Sequence, residues 1–215
     1  MVDTTEKLNK IAELVEDGLY FTINRPYQYG KTTSSYLLAE RMMKEKNYMA
    51  LQTSFEGIGD EIFEEEGKFC SGFIDLLTDE LHFLGEEKLI QDIIDKEQPV
   101  TNFQRLSSVI SDLSNRSDRN IVLMIDEVDK SSNNQLFISF LGMLRGKYLN
   151  RNMGRDYTFH SVILIGVHDV KSLKLKIHPE STGQLNSPWN IAVDFNVDLS
   201  FNPKDISTML DDYSR

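Results

Sequence analysis

The sequence predicts an α/β domain of three layers, with a mainly parallel central sheet between helices and a helical insert. Three observations predict it. Short apolar, β-prone runs alternate with amphipathic helical stretches, the pattern of repeated βαβ units. One run, Ile121-Val122-Leu123-Met124-Ile125, is apolar at five consecutive positions and ends in Asp126-Glu127. That is how a strand buried on both faces of a parallel sheet reads when its acids emerge at the C-terminal edge. Finally, Gly30-Lys31-Thr32-Thr33 lies between a strand-like run and a helical one.

Residues 4–17 set Leu8, Ile11, Leu14 and Val15 on one helical stripe, and Gly18 stops the helix. Residues 19–23 form the first strand, and the helix after it carries Leu37, Leu38, Arg41, Met42 and Lys46 at helical spacing. Residues 48–55 are a second strand, ending at Glu56-Gly57 on the nucleotide side if the sheet is parallel. The stretch 59–117 is the helical insert. Phe73, Leu76, Leu77, Leu81 and Leu84 make one stripe there, and Phe103, Leu106, Val109, Ile110 and Leu113 another. The pattern leaves open whether this insert fills a sheet face or carries partner specificity. Phe137, Phe140, Leu141, Leu144 and Tyr148 mark the next helix, and residues 161–167 another buried strand. Ile191, Val193, Phe195, Val197 and Leu199 alternate as in a strand at a sheet edge, and Asn202 and Pro203 open a final helix through Asp212. No repeat or low-complexity linker interrupts the chain, so residues 1–215 read as one domain behind an N-terminal helix over 1–17.

Composition narrows the function classes. Hydrophobic residues at 40% and charged ones at 27% belong to an ordinary globular protein. No apolar run approaches the ~18 residues of a membrane span, and the N-terminus lacks a basic-then-apolar leader; a cytoplasmic protein with no membrane partner is expected. The net charge of −11 repels nucleic acid at long range, which disfavours it as a partner. The run of lysines over 171–176 reads as solvated surface, as does the acidic stretch 60–66. Cys70, the single cysteine, sits near Phe69 and Phe73 as a packing residue, and four histidines at 82, 160, 168 and 178 have no zinc spacing.

Gly30-Lys31-Thr32 occupies a strand-to-helix turn, the context in which that motif cradles phosphate. Helix-start N–H groups have no partner within the helix and the dipole is positive there, so phosphate oxygens bind with little reorganisation. Gly30 lets the backbone approach closely, Lys31 puts a charge on the β- and γ-phosphates, and the Thr32 hydroxyl suits Mg²⁺. Arg25 stands where the pattern G-x-x-x-x-G-K-[ST] has its first glycine. Pro26 fixes its own φ and biases Arg25 towards extended backbone, which either replaces the missing glycine or marks a weakened site. Asp126 is placed for the Mg²⁺ shell, and Glu127 to polarise an attacking water.

At these residues the chain resembles the AAA-type branch of the P-loop NTPases, and more narrowly the bacterial AAA-like domain proteins, whose phosphate loop often lacks the first glycine. The resemblance runs from about Gly18 to Tyr213. It includes Ile125-Asp126-Glu127-Val128-Asp129, Leu141-Gly142-Met143-Leu144-Arg145, residues 162–167 followed by His168-Asp169-Val170, and Asn186-Ser187-Pro188-Trp189-Asn190-Ile191-Ala192. The phosphate loop and acidic strand are specific to the superfamily, and the Ser-Pro-Trp-Asn-Ile segment to the narrower branch. The resemblance implies ATP and Mg²⁺ as ligands, bound by Arg25, Gly30, Lys31, Thr32, Thr33 and Asp126, with Glu127 and Lys31 catalytic. It places His168 or Asp169 where such proteins keep a γ-phosphate sensor, a solvated loop histidine being the equal alternative. It makes Arg145 a candidate arginine finger, balanced by the plain reading of a basic helix end; for Arg151 and Arg155 the plain reading is favoured.

AAA-type proteins usually continue into a helical lid, which is expected to be absent from this sequence. The resemblance therefore implies a Mg²⁺-dependent ATPase domain that turns over slowly unless a protein partner or self-association completes the site. A nucleotide-dependent switch or scaffold without hydrolysis is the alternative, and a DNA-associated ATPase is disfavoured by the charge.

Overall fold

The structure is a computed structural model and describes residues 5–24, 31–44, 47–56, 59–94, 99–128 and 134–166. In chain order these residues form α1 (Thr5–Glu16), β1 (Tyr20–Asn24), α2 (Lys31–Lys44), β2 (Tyr48–Ser54), a short 3-10 turn (Asp60–Phe63), α3 (Glu66–Phe83), α4 (Glu87–Ile94), α5 (Phe103–Arg116), β3 (Asn120–Asp126), α6 (Gln135–Asn152) and β4 (Ser161–Gly166). The expected strand and helix after residue 190 lie outside the described residues.

The four strands make one sheet in the order β1-β4-β3-β2, with every pairing parallel. Each connection is a crossover, so the strands point the same way and their C-terminal ends share one edge. Both faces are covered. Ile121, Leu123 and Ile125 of β3 join the cluster formed with α3, α4, α5 and α6. Val122 and Met124 join the cluster formed with α1 and α2. Successive side chains of a strand point to opposite faces, so a continuous apolar run is what such a sheet demands.

The helical segment between β2 and β3 fills a sheet face, which answers the question its stripes left open. Phe69, Cys70, Phe73, Leu77 and Leu81 are the buried side of α3, and Leu106, Val109, Ile110 and Leu113 that of α5. Aromatic rings fasten it to α6: Phe69 and Phe73 lie 5.3 and 4.7 Å from Phe140, centroid to centroid, in tilted pairs. Such pairs add on the order of 1 kcal/mol each to the area they bury. At the described edge of the sheet, the Gln52 N–H of β2 donates to Glu80 Oε2 of α3 at 3.1 Å, so the helix also satisfies an edge donor. Burial raises the Glu80 carboxyl above its ordinary value despite that bond.

Helix ends follow local chemistry. Asn102 and Asn134 cap α5 and α6, accepting from Arg105 N at 2.8 Å and Leu136 N at 2.7 Å. Gly18 ends α1 at φ +65°, with its own N–H on Val15 O and Leu19 N–H on Leu14 O, the paired bonds of a Schellman turn. A Cβ on Gly18 would stand 3.3 Å from the His160 ring and carbonyl, so conformation and space both require glycine there.

Candidate functional site

Of the candidate residues, Asp126 ends β3 at the C-terminal edge of the sheet, and Lys31, Thr32 and Thr33 begin the helix that follows β1. In parallel α/β sheets that edge is where ligands bind, because the crossover helices start there with their N–H ends facing the same side. β1 ends at Asn24, and only residues 25–30 separate it from α2, whose first three residues are Lys31, Thr32 and Thr33. The first turn of α2 holds no acidic side chain that would compensate its positive end. Arg25, Gly30 and His168 lie outside the described residues.

Asp126 is the last residue of β3, in register with Ser54 of β2. It alternates in phase with Val122 and Met124, which places it on the sheet face covered by α1 and α2. That is the side on which α2 begins. β4 lies between β1 and β3 and pairs Gly166 with Asn24, so the ends of β1 and β3 are two strand spacings apart, about 10 Å.

Around Asp126 the polar groups are tied down. Its carbonyl accepts from Phe55 N at 3.1 Å, and its Oδ1 accepts from Glu127 N at 2.8 Å. The Ser54 hydroxyl accepts from Glu56 N at 3.0 Å, and Thr53 Oγ1 donates to Met124 O at 3.2 Å. Glu127 adopts φ +54°, in the left-handed region that side chains other than those of Gly, Asn and Asp rarely take. Val128 beyond it is 1% exposed.

Two features escaped the sequence. The left-handed backbone of Glu127 has no local signal, since neither glycine nor asparagine stands there. Ser54 could have been noticed as a polar residue ending a strand on the same edge as Asp126.

The arginines separate. Arg145 sits ten residues beyond the first residue of α6, roughly 15 Å along its axis, and its Nε is buried with no hydrogen-bond partner. Arg151 is spent on the fold. Its guanidinium donates to the carbonyls of Gly18 at 2.7 Å, Phe159 at 2.8 Å and His160, and lies over the rings of Tyr148 and Tyr20. Arg155 is exposed.

Cys70 is buried, and burial pushes its thiol up to about 12, which suits packing rather than nucleophilic chemistry. Among the described residues there is no group of three or more His, Cys, Asp or Glu side chains placed to hold a metal ion by themselves, and no helix long and apolar enough to cross a membrane. The oxygen donors offered by Thr32 and Asp126 are of the kind Mg²⁺ takes together with waters and phosphate.

The AAA-like domain family matches residues 3–214 of the chain. None of the curated proteins matches it. Among solved structures, it is similar to Cdc6p from Pyrobaculum aerophilum, at 14% identity and a TM-score of 0.55, covering 98% of this chain and 48% of that one. It is similar to the Aeropyrum pernix ORC2 protein in its ADPNP-ADP complexes, at 14% identity and a TM-score of 0.57, covering 98% and 51%. A third, the Aeropyrum pernix ORC1 protein in complex with DNA, gives 10% identity and a TM-score of 0.51, covering 100% and 50%. The chain thus spans about half the length of these proteins. At such identities the likeness establishes the fold alone, an α/β domain with a parallel sheet between helices, as the sequence predicted.

Proposed function

Because the chain belongs to the AAA-like domain family, we propose that it binds ATP with Mg²⁺ at the C-terminal edge of its sheet and hydrolyses it, coupling the cycle to a protein partner or a further copy of itself. The observation that carries this reading is that β1, the strand before α2, and β3, which ends in Asp126, finish at the same edge of the sheet two strand spacings apart. The ADPNP-ADP complexes of the ORC2 neighbour agree with a nucleotide ligand. The ORC1 neighbour was solved with DNA, whereas the net charge of −11 keeps DNA out of the proposal.

In this reading the N–H groups at the start of α2, with Gly30 before them, hold the phosphate oxygens. Lys31 neutralises charge on the β- and γ-phosphates, and Arg25 and Thr33 complete the binding loop. Thr32 and Asp126 would hold Mg²⁺, which when bound neutralises charge developing on the phosphoryl oxygens. Glu127 accepts the proton of the attacking water and orients it in line with the leaving group. His168 and Arg145 are the candidate γ-phosphate sensor and arginine finger.

Replacing Glu127 by Gln keeps the shape and removes the base. The Glu127→Gln chain should bind ATP as the unaltered chain does and release phosphate at least ~100-fold more slowly; equal phosphate release from both would falsify the assignment. Arg25 in place of the first loop glycine supports a second reading, a nucleotide-dependent switch. It predicts ATP-dependent protease protection with no turnover in either chain.

A further inference from the structure

Glu127 is the one non-glycine residue with positive φ among those described. For an L-residue the left-handed region is disfavoured by roughly tenfold or more in population. It persists where the flanking structure over-determines it. Both flanks are fixed here. On one side, Asp126 is paired in register with Ser54, its carbonyl bonded to Phe55 N and its Oδ1 to the N–H of Glu127 itself. On the other, Val128 is 1% exposed in the same buried cluster as Phe55 and Phe137.

We infer that Val128 is a positioning residue: seated in that cluster, it holds Glu127 in the left-handed conformation and so fixes the direction in which the Glu127 carboxylate leaves the backbone. The catalytic consequence rests on the proposed role of Glu127 as base. The backbone coupling does not.

Glycine is at home at positive φ, whereas in relaxed backbone alanine is the more stable of the two. The stability difference between Glu127→Gly and Glu127→Ala is therefore a gauge of strain at this position. In urea denaturation of the full chain, Glu127→Gly should have an unfolding constant on the order of five- to tenfold smaller than Glu127→Ala. Combined with Val128→Ala, that ratio should fall to about one or reverse. An equal ratio in both backgrounds overturns the inference. So does a Glu127→Ala chain more stable than Glu127→Gly with Val128 intact, an outcome readable even if the double variants do not fold.

With Glu127 intact, Val128→Ala should lower kcat for phosphate release roughly tenfold while leaving KM for Mg·ATP unchanged. A loss confined to KM, or an unchanged kcat, also overturns the positioning role. No turnover in the unaltered chain would instead remove the ATPase reading and leave the strain gauge intact.

Discussion

Three backbone carbonyls converge on Arg151, those of Gly18, Phe159 and His160, and two tyrosine rings enclose it. The residue ties the end of α1 to the strand entries of β1 and β4, on the edge opposite the candidate nucleotide site. Its removal takes a donor from each of the three carbonyls, of which Phe159 O keeps the Tyr20 hydroxyl at 3.1 Å, so Arg151→Ala should cost about 3 kcal/mol in urea denaturation. Arg151→Lys should recover little of that, because one ammonium cannot reproduce a fork spread over three acceptors. A midpoint unchanged in Arg151→Ala would refute this structural assignment. At this scale the sequence was legible where residue type dictates backbone, as at Gly18, and where an acid ends an apolar strand, as at Asp126. It was illegible where conformation departs from type: a glutamate at positive φ carries no mark of it, and a half-buried arginine looks like an exposed one.

Between elements, Lys147 of α6 is 3% exposed and donates to Asp156 Oδ2 at 2.8 Å, Ser111 Oγ at 2.6 Å and Ser107 O at 3.1 Å, linking α5, α6 and the approach to β4. Burial pulls the Asp156 carboxyl upward, but the hydrogen bonds from Lys147 and Ser111 outweigh it and leave the group below its ordinary 3.8. A carboxyl with a depressed folded value contributes stability that is present above the unfolded value and lost as pH falls through the folded one. The acid limb of a pH-stability curve should therefore steepen below about pH 4 and flatten in Asp156→Asn. That variant should also lose on the order of 2 kcal/mol at neutral pH, since it leaves a buried ammonium without its counter-charge. A curve identical to that of the unaltered chain would show that the pair contributes nothing. The strands were the most legible elements, because burial on both sheet faces leaves an unbroken apolar run in β3 and β4. The docking of α3 to α5 was not legible, since an amphipathic stripe says that a helix has a buried side and not which face receives it.

Across the whole molecule, charge is unevenly held. Residues 59–94 contain 11 acidic and two basic side chains, so most of the net charge of −11 belongs to the segment from the 3-10 turn through α4. Like charges so concentrated repel one another, and salt screens them as the Debye length falls from about 30 Å at 0.01 M to about 10 Å at 0.1 M. Thermal unfolding should move up by a few degrees over that interval; a transition that moves down would mean that attractive pairs, such as Arg119 with Glu86, dominate. The same acidic segment packs on the sheet face opposite the one covered by α1 and α2, which is the face of Asp126. An anionic nucleotide at the proposed site is thereby separated from it by the sheet.

Mg·ATP binding together with phosphate release, followed on the unaltered chain and on Lys31→Ala, decides whether phosphate is held at the start of α2. Binding and slow release are expected of the former and neither of Lys31→Ala, because Lys31 supplies the charge at the β- and γ-phosphates that helix-start N–H groups alone do not. Binding of equal strength by both chains, or by neither, would contradict a phosphate site at the start of α2.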